Sequence, residues 1–335
     1  MIFARELGGT LGACLAEDPR VVLLGEDISD PYGGAFKVTR GLSTAFPDRV
    51  WSTPISEGAI AGVSAGLALA GYRPIAEIMF GDFATLTFDQ VVNHIAKYQA
   101  MYNGQATCPV IMRAPMGGHR GYGPTHSQSL EKHFVGIPHL RVVAASLFHD
   151  PRAVFADFLG ADSPVFYVEH KLLYPQQMRL PESGRIGALM VRSENSEGML
   201  PTMCLSAVPR ENCAVSLIAY GFQAWLAAEV IERLAVTEEI FAELLVPAQI
   251  SPIDWSPIKS SATTTGQVVT LEEGTAGWSW GSEVAAVLSH DLFGELRAPV
   301  QVVSSAASVI PAAKAPESRV LVGSSHIEAA IRAVA

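Results

Sequence analysis

Short apolar runs that end in polar residues, separated by stretches of helical spacing, recur along the chain and constrain its fold more than any other feature. Phe3, Leu7, Leu11 and Leu15 repeat at helical spacing, so the chain opens with an amphipathic helix. Val21-Val22-Leu23-Leu24 then reads as a buried parallel strand, with Gly25-Glu26-Asp27 at its carboxyl end. Residues 56–71 read as a helix rich in Ala and Gly, 74–80 as a strand, 83–102 as a long helix and 110–114 as a strand. A Gly-rich loop covers 116–124, a helix begins near His126, and strands follow at 140–145 and 165–168. Residues 176–212 break the rhythm with Pro181, Gly184, Gly198, Pro201 and Pro209, and are expected to be a linker. A second series follows, with strands at 214–219, 242–245, 268–271 and 300–303. Helices are expected at 223–234 and 282–288, and a last one from His326. Alternating strand and helix gives an α/β protein. We expect two domains, 1–175 and 213–335, each a mostly parallel sheet flanked by helices.

Composition narrows the function. With 335 residues, 49% hydrophobic and 17% charged, the chain has enough apolar material for a large core. A net charge of −10 argues against a nucleic-acid footprint, which would be basic. Cys14, Cys108, Cys204 and Cys213 form no CxxC pair, so neither a disulfide framework nor a zinc site is expected, and a reducing compartment fits. The apolar stretch 60–71 is too short to span a bilayer. Arg5 and Glu6 precede any long apolar run, unlike a signal peptide. We expect a cytoplasmic protein that engages neither membrane nor nucleic acid.

Three segments carry candidate chemistry. In Thr53-Pro54-Ile55-Ser56-Glu57-Gly58, a Ser before an acidic first turn is ordinary helix capping. The helix that follows is small and apolar, however, so Glu57 would lie in a closely packed, desolvated place, which raises a carboxyl pKa and suits it to proton work. Phe80-Gly81-Asp82-Phe83 follows a strand; two aromatics there are either core or a flat face on which a planar ring stacks. Residues 117–128 hold four glycines, so their backbone can approach a ligand, and His119 and His126 are acid–base candidates. No G-x-S-x-G elbow and no metal-ligand spacing is present.

In this order these segments resemble the β subunits of pyruvate and branched-chain 2-oxo acid dehydrogenases. The resemblance rests on Gly25-Glu26-Asp27 with the stretch from Tyr32 to Leu42, on Thr53 to Glu57, on Arg73-Pro74 to Phe83 with Phe88 to Asn93, and on Gly123-Pro124-Thr125-His126-Ser127-Gln128-Ser129. Val269-Thr270-Leu271-Glu272-Glu273-Gly274 matches the family's C-terminal domain less closely. The resemblance implies a transketolase-like pyrimidine-binding domain and a transketolase C-terminal-like domain. It implies thiamine diphosphate at the interface with an α subunit, in an α2β2 heterotetramer. It makes Glu57 the group that contacts the aminopyrimidine N1′ nitrogen, Phe83 the ring that stacks on the pyrimidine, Glu26 an acidic residue near the thiazolium, and His126 the histidine that faces substrate. An acyl group would then pass to a lipoyl arm or another carrier. The Gly-Asp-Gly segment with paired asparagines that holds diphosphate and magnesium in free-standing thiamine enzymes is absent, and the resemblance places it on the α subunit.

Two other readings stand beside this one. A split transketolase-type carboligase would use the same cofactor to transfer a two-carbon unit, with Arg113 and Arg120 available to a sugar phosphate. A non-catalytic partner subunit would have no need of Glu57 and His126.

Overall fold

Helix α1 (Phe3–Glu17) turns Phe3, Leu7, Leu11 and Leu15 inward, as their spacing requires, and strand β1 (Val21–Gly25) follows with every residue buried. The computed structural model describes residues 1–335, which divide into two units. The first comprises Met1–Met116, Phe134–Val143 and Asp150–Met178; the second comprises Gly117–His133, Ala144–His149 and Arg179–Ala335. No helix is long and apolar enough to cross a membrane.

In the first unit β1 is joined by β2 (Val50–Ser52), β3 (Arg73–Glu77), β4 (Ile111–Met116), β5 (Arg141–Ala144) and β6 (Val165–His170), side by side in the order β5-β6-β4-β3-β1-β2. The β1–β2, β1–β3, β3–β4 and β4–β6 pairs are parallel, so their carboxyl ends gather along one edge. Its helices after α1 are α2 (Leu42–Ala45), α3 (Glu57–Leu69), α4 (Tyr98–Met101) and α6 (Pro151–Gly160); the intervening α5 (Gly123–His126) belongs to the second unit. Helix α6 was not anticipated; Asp150 caps it by accepting the Arg152 N–H at 2.9 Å.

The buried β4 carries a charge. Arg113 is 1% exposed and donates to both oxygens of Glu169, at 2.7 and 2.9 Å, and to Glu77. Tyr174 donates its hydroxyl to Glu169 at 2.5 Å. Removing one member of such a buried set leaves an uncompensated charge and typically costs about 3–5 kcal/mol. The arginine offered above to a sugar phosphate is therefore part of the core.

Two local expectations need correction in this half of the sequence. The single helix over 83–102 is instead a 3-10 turn (Phe83–Thr87), a π-helical segment (Gln90–Ile95) and the short α4. Thr87 turns its hydroxyl back to the Ala84 carbonyl at 2.7 Å, while Val91 and Ile95 are both buried, so apolar spacing alone does not reveal the change of pitch. Near His126 a four-residue helix ends rather than begins.

The second unit is built on β7 (Arg185–Ile186), β8 (Leu189–Glu194), β9 (Thr202–Ser206), β10 (Val215–Ala219), β11 (Ala242–Pro247), β13 (Val268–Thr275) and β14 (Gln301–Ser305), ordered β14-β13-β10-β11-β9-β8-β7; the short β12 (Gln249–Ser251) lies between β11 and β13 in sequence. The β10, β11, β13 and β14 pairings are parallel, and β9, β8 and β7 extend the sheet antiparallel. The expected linker 176–212 thus contains three strands of this sheet. Its glycines and prolines mark turns: Gly187, with φ 58, lies in the two-residue connection of β7 and β8. Arg210, from the same stretch, bonds Glu243 of β11 at 2.7 Å and Glu194 of β8 at 2.8 Å. The helices are α7 (Gly221–Thr237), α8 (Trp255–Thr265), α9 (Trp280–Asp291), α10 (Lys314–Val320) and α11 (Ser324–Val334). Leu217, Leu244, Val269 and Leu271 from the strands pack with Ala224, Ala228 and Ile231 of α7 and Ile327 and Ile331 of α11.

Candidate active site

In the first unit the chemistry collects where parallel strands end. Strand β1 ends at Gly25 and is followed by Glu26 and Asp27, where Asp27 takes a left-handed conformation with φ 54 that turns the chain away. The β2 strand ends at Ser52, and the Thr53 N–H bonds back to the Gly25 carbonyl at 2.9 Å before the chain enters α3. Glu57 is the first residue of α3. Ser56 precedes it without a side-chain capping bond, so capping does not account for this sequence. Glu26 and Glu57 are 4% and 5% exposed. Burial, then the charge of Glu57, pushes the Glu26 carboxyl above the ordinary carboxylate range, against a hydrogen bond from the Ser56 backbone. The Oε1 oxygen of Glu26 is buried without a hydrogen-bond partner.

Beyond β3, Phe80 and Phe83 meet edge to face with centroids 6.3 Å apart, and Phe36 meets Phe80 in the same manner at 5.6 Å. Phe83 is half-buried. At Gly81 a Cβ would lie 2.1 Å from Met116 Cγ, so only glycine lets this aromatic turn lie on β4.

The histidine loop belongs to the second unit, with carboxylates bound to its backbone. Glu273 Oε1 accepts from the Gly118 N–H at 2.7 Å and from the Ser129 hydroxyl at 3.1 Å. Its Oε2 accepts from Gln223 Nε2 at 3.2 Å and lies 3.7 Å from His119 Nε2. Glu317 Oε2 accepts from the Gly121 N–H at 3.1 Å. The loop closes on itself through Gly117 N–H to the Gln128 carbonyl at 3.0 Å. His126, at the end of α5, is half-buried. His119 has φ 63 and lies beside the Phe222 ring, with centroids 5.9 Å apart. Arg120 is exposed, its guanidinium 5.2 Å from the Tyr122 ring centroid.

Of the four site residues expected from the sequence, the first unit brings together Glu26 and Glu57 and carries Phe83. His126 lies in the second unit. Sequence reasoning missed Glu273, Glu317 and Glu131 as buried polar groups. Two consecutive carboxylates inside the apolar run 268–275 were the available signal. Glu272 and Glu273 have separate partners: Glu272 accepts from the Trp280 and Gly281 N–H groups at 3.2 and 3.0 Å, at the start of α9, whereas Glu273 holds the loop.

Family comparison divides the chain once, after residue 177, and so counts the histidine loop with the first half of the sequence, whereas packing puts it in the second unit. Residues 4–177 match the transketolase pyrimidine-binding domain, and residues 206–327 match the transketolase C-terminal domain. The chain is 34% identical to the pyruvate dehydrogenase E1 component subunit beta of Leifsonia xyli subsp. xyli, over 92% of this chain and 88% of that protein. It is 34% identical to the 2-oxoisovalerate dehydrogenase subunit beta of Bacillus subtilis, over 96% and 94%. It is 32% identical to the acetoin:2,6-dichlorophenolindophenol oxidoreductase subunit beta of Cupriavidus necator, over 95% and 92%. A solved structure described as a split gene transketolase, inactive beta4 tetramer, shares the fold with TM-score 0.73 at 24% identity, covering 100% of this chain and 98% of that one.

Proposed function

The chain belongs to the family of transketolase-like 2-oxo acid dehydrogenase β subunits, and from that premise we propose that it works with an α subunit to decarboxylate a 2-oxo acid and pass on the acyl group. The α partner brings the diphosphate and magnesium ligands of a shared thiamine diphosphate site, in a heterotetramer of two α and two β subunits. A lipoyl or other carrier protein accepts the acyl group. A reducing compartment such as the cytoplasm suits the four free, buried thiols.

The observation that carries this reading is the pair of buried carboxyls at the strand edge. Burial and then the Glu57 charge favour a proton on Glu26, whose Oε1 is buried without a hydrogen-bond partner. An aminopyrimidine, with a ring nitrogen and an amino group, fits that chemistry, and an aromatic ring such as Phe83 is suited to stack on a planar heterocycle. When bound, thiamine diphosphate supplies the electron sink for decarboxylation. Glu57 would be the group that holds a proton toward the pyrimidine N1′ nitrogen. Glu26, its carboxyl pushed above the ordinary range, would offer a hydrogen bond beside it, Phe83 would orient the ring, and His126 would handle a proton on the substrate side. A split-transketolase reading loses one of the two cations offered to a sugar phosphate, because Arg113 is committed to Glu77 and Glu169.

The test is hydrogen–deuterium exchange at the cofactor's C2 position in the assembled complex, beside turnover of several 2-oxo acids. Glu57→Gln should slow C2 exchange and turnover, by the roughly 100- to 10,000-fold typical of a lost acid–base group. His126→Ala should lower turnover and leave C2 exchange in place. Wild-type C2 exchange in Glu57→Gln would refute the assignment.

A further inference from the structure

We infer that Glu273 is a positioning residue: one carboxylate, reaching from β13, clamps both ends of the loop that presents His126. The inference rests on the role proposed for His126. Within the loop the Gly117–Gln128 closure and the turn at Thr125–Gln128 hold the backbone, and Glu317 adds one bond at Gly121. Gly117, Gly121 and Gly123 have φ 91, 71 and 78, a region glycine enters freely, and α5 has only four residues. His119 is held at φ 63, which an L residue adopts at a cost unless its surroundings hold it there.

Glu273 supplies that hold. Its Oε1 accepts from Gly118 before the histidine and from Ser129 after it, at 2.7 and 3.1 Å. Its Oε2 faces Gln223 and His119, at 3.2 and 3.7 Å. Glu273 is buried, so little water competes for these hydrogen bonds, and a loop donor that loses its acceptor there bears its desolvation cost. A Cβ at Gly118 would lie 2.3 Å from Leu321 Cδ1 and 3.1 Å from the Ser127 carbonyl, so the backbone bound by Glu273 is packed closely against both. Neighbouring Glu272 serves as a contrast, because its oxygens meet the start of α9. Strand β13 shifts its register against β14 between Leu271 and Thr275, a place where a sheet can redirect a side chain.

Hydrogen exchange of the loop amides, read by mass spectrometry on the full chain, tests the clamp without any cofactor. Glu273→Ala leaves the Gly118 N–H without its acceptor, and amides in residues 117–129 should exchange about 10- to 100-fold faster. Glu273→Gln keeps a carbonyl oxygen and should recover part of the protection. If Glu273→Ala fails to fold, Glu273→Gln carries the test with a smaller rise in exchange over the same residues. In the assembled enzyme, Glu273→Ala should lower kcat as His126→Ala does and retain cofactor C2 exchange. The Glu273→Ala/His126→Ala double variant should be no slower than His126→Ala alone. Unchanged loop exchange in both Glu273 variants, or single effects that multiply in the double variant, would overturn the inference. A wild-type complex without thiamine-dependent turnover would refute the proposed function instead, and loop exchange would still decide whether Glu273 clamps the loop.

Discussion

Glu131 shows how much a single carboxyl can matter away from the reacting groups. It is buried, it accepts the Tyr220 hydroxyl at 2.6 Å, and its Oε2 has no hydrogen-bond partner. Burial pushes its pKa from 4.5 up to about 7, and the charges of Glu272 and Glu273 push the same way. Between these two values the folded chain keeps a proton that the unfolded chain releases. Stability from this group is therefore complete below pH 4.5 and declines as pH rises, until above 7 the full cost is present. The difference is on the order of 3 kcal/mol. Glu131→Gln keeps a carbonyl for Tyr220 and cannot ionise. Chemical denaturation should find it close to wild type at low pH and more stable near pH 8 by roughly that amount. A difference that does not change with pH would exclude this titration. The residue was invisible in the sequence because its burial depends on Tyr220, 89 positions away. Glu57 and Glu26 were legible because each ends or begins a recognisable element.

At the scale of elements, α3 has two faces with different tasks. Ile60, Ala61, Ser64, Ala65 and Ala68 face their own unit, and Gly58 and Gly62 lie against Leu86 and Gln90. The small residues Ala61 and Ala65 are thus internal packing. Val63 and Gly66 are exposed, and a Cβ at Gly66 meets nothing within 4 Å. Ala61→Leu should therefore destabilise the chain itself, by about 1–3 kcal/mol. Gly66→Leu should leave its stability unchanged or slightly raised and weaken assembly with the α partner that we place on this face. Thermal melts of the isolated chain, set beside light scattering of the mixed subunits, separate the two; a folded Gly66→Leu that assembles like wild type would move the partner elsewhere. Other elements show the limits of pattern reading. Helix α8 is dominated by Ser and Thr, which weakens an apolar stripe, and Asp254 rather than periodicity announces it, capping the Ser256 N–H at 3.1 Å. The glycines and prolines of 176–212 mark turns, and nothing local says whether a turn joins two strands or two domains.

For the whole molecule, the absent diphosphate segment sets the expectation. Calorimetry of the isolated chain should find weak thiamine diphosphate binding or none, and addition of the α partner should create the site. Tight, stoichiometric binding to this chain alone would contradict the shared-site reading. The chain enters its second unit at Gly117, leaves it after His133, and returns for Ala144–His149 before Arg179 begins the remainder. That threading matters during synthesis. Gly118 leaves the ribosome 155 residues ahead of Glu273. At bacterial-to-eukaryotic elongation rates of about 5–20 residues per second, the nascent histidine loop waits roughly 8 to 30 seconds for its clamp. Over that interval its glycine-rich backbone is open to proteases and chaperones, so a translational pause between the two coding regions would reduce the yield of finished subunit more than an equal pause after Glu273.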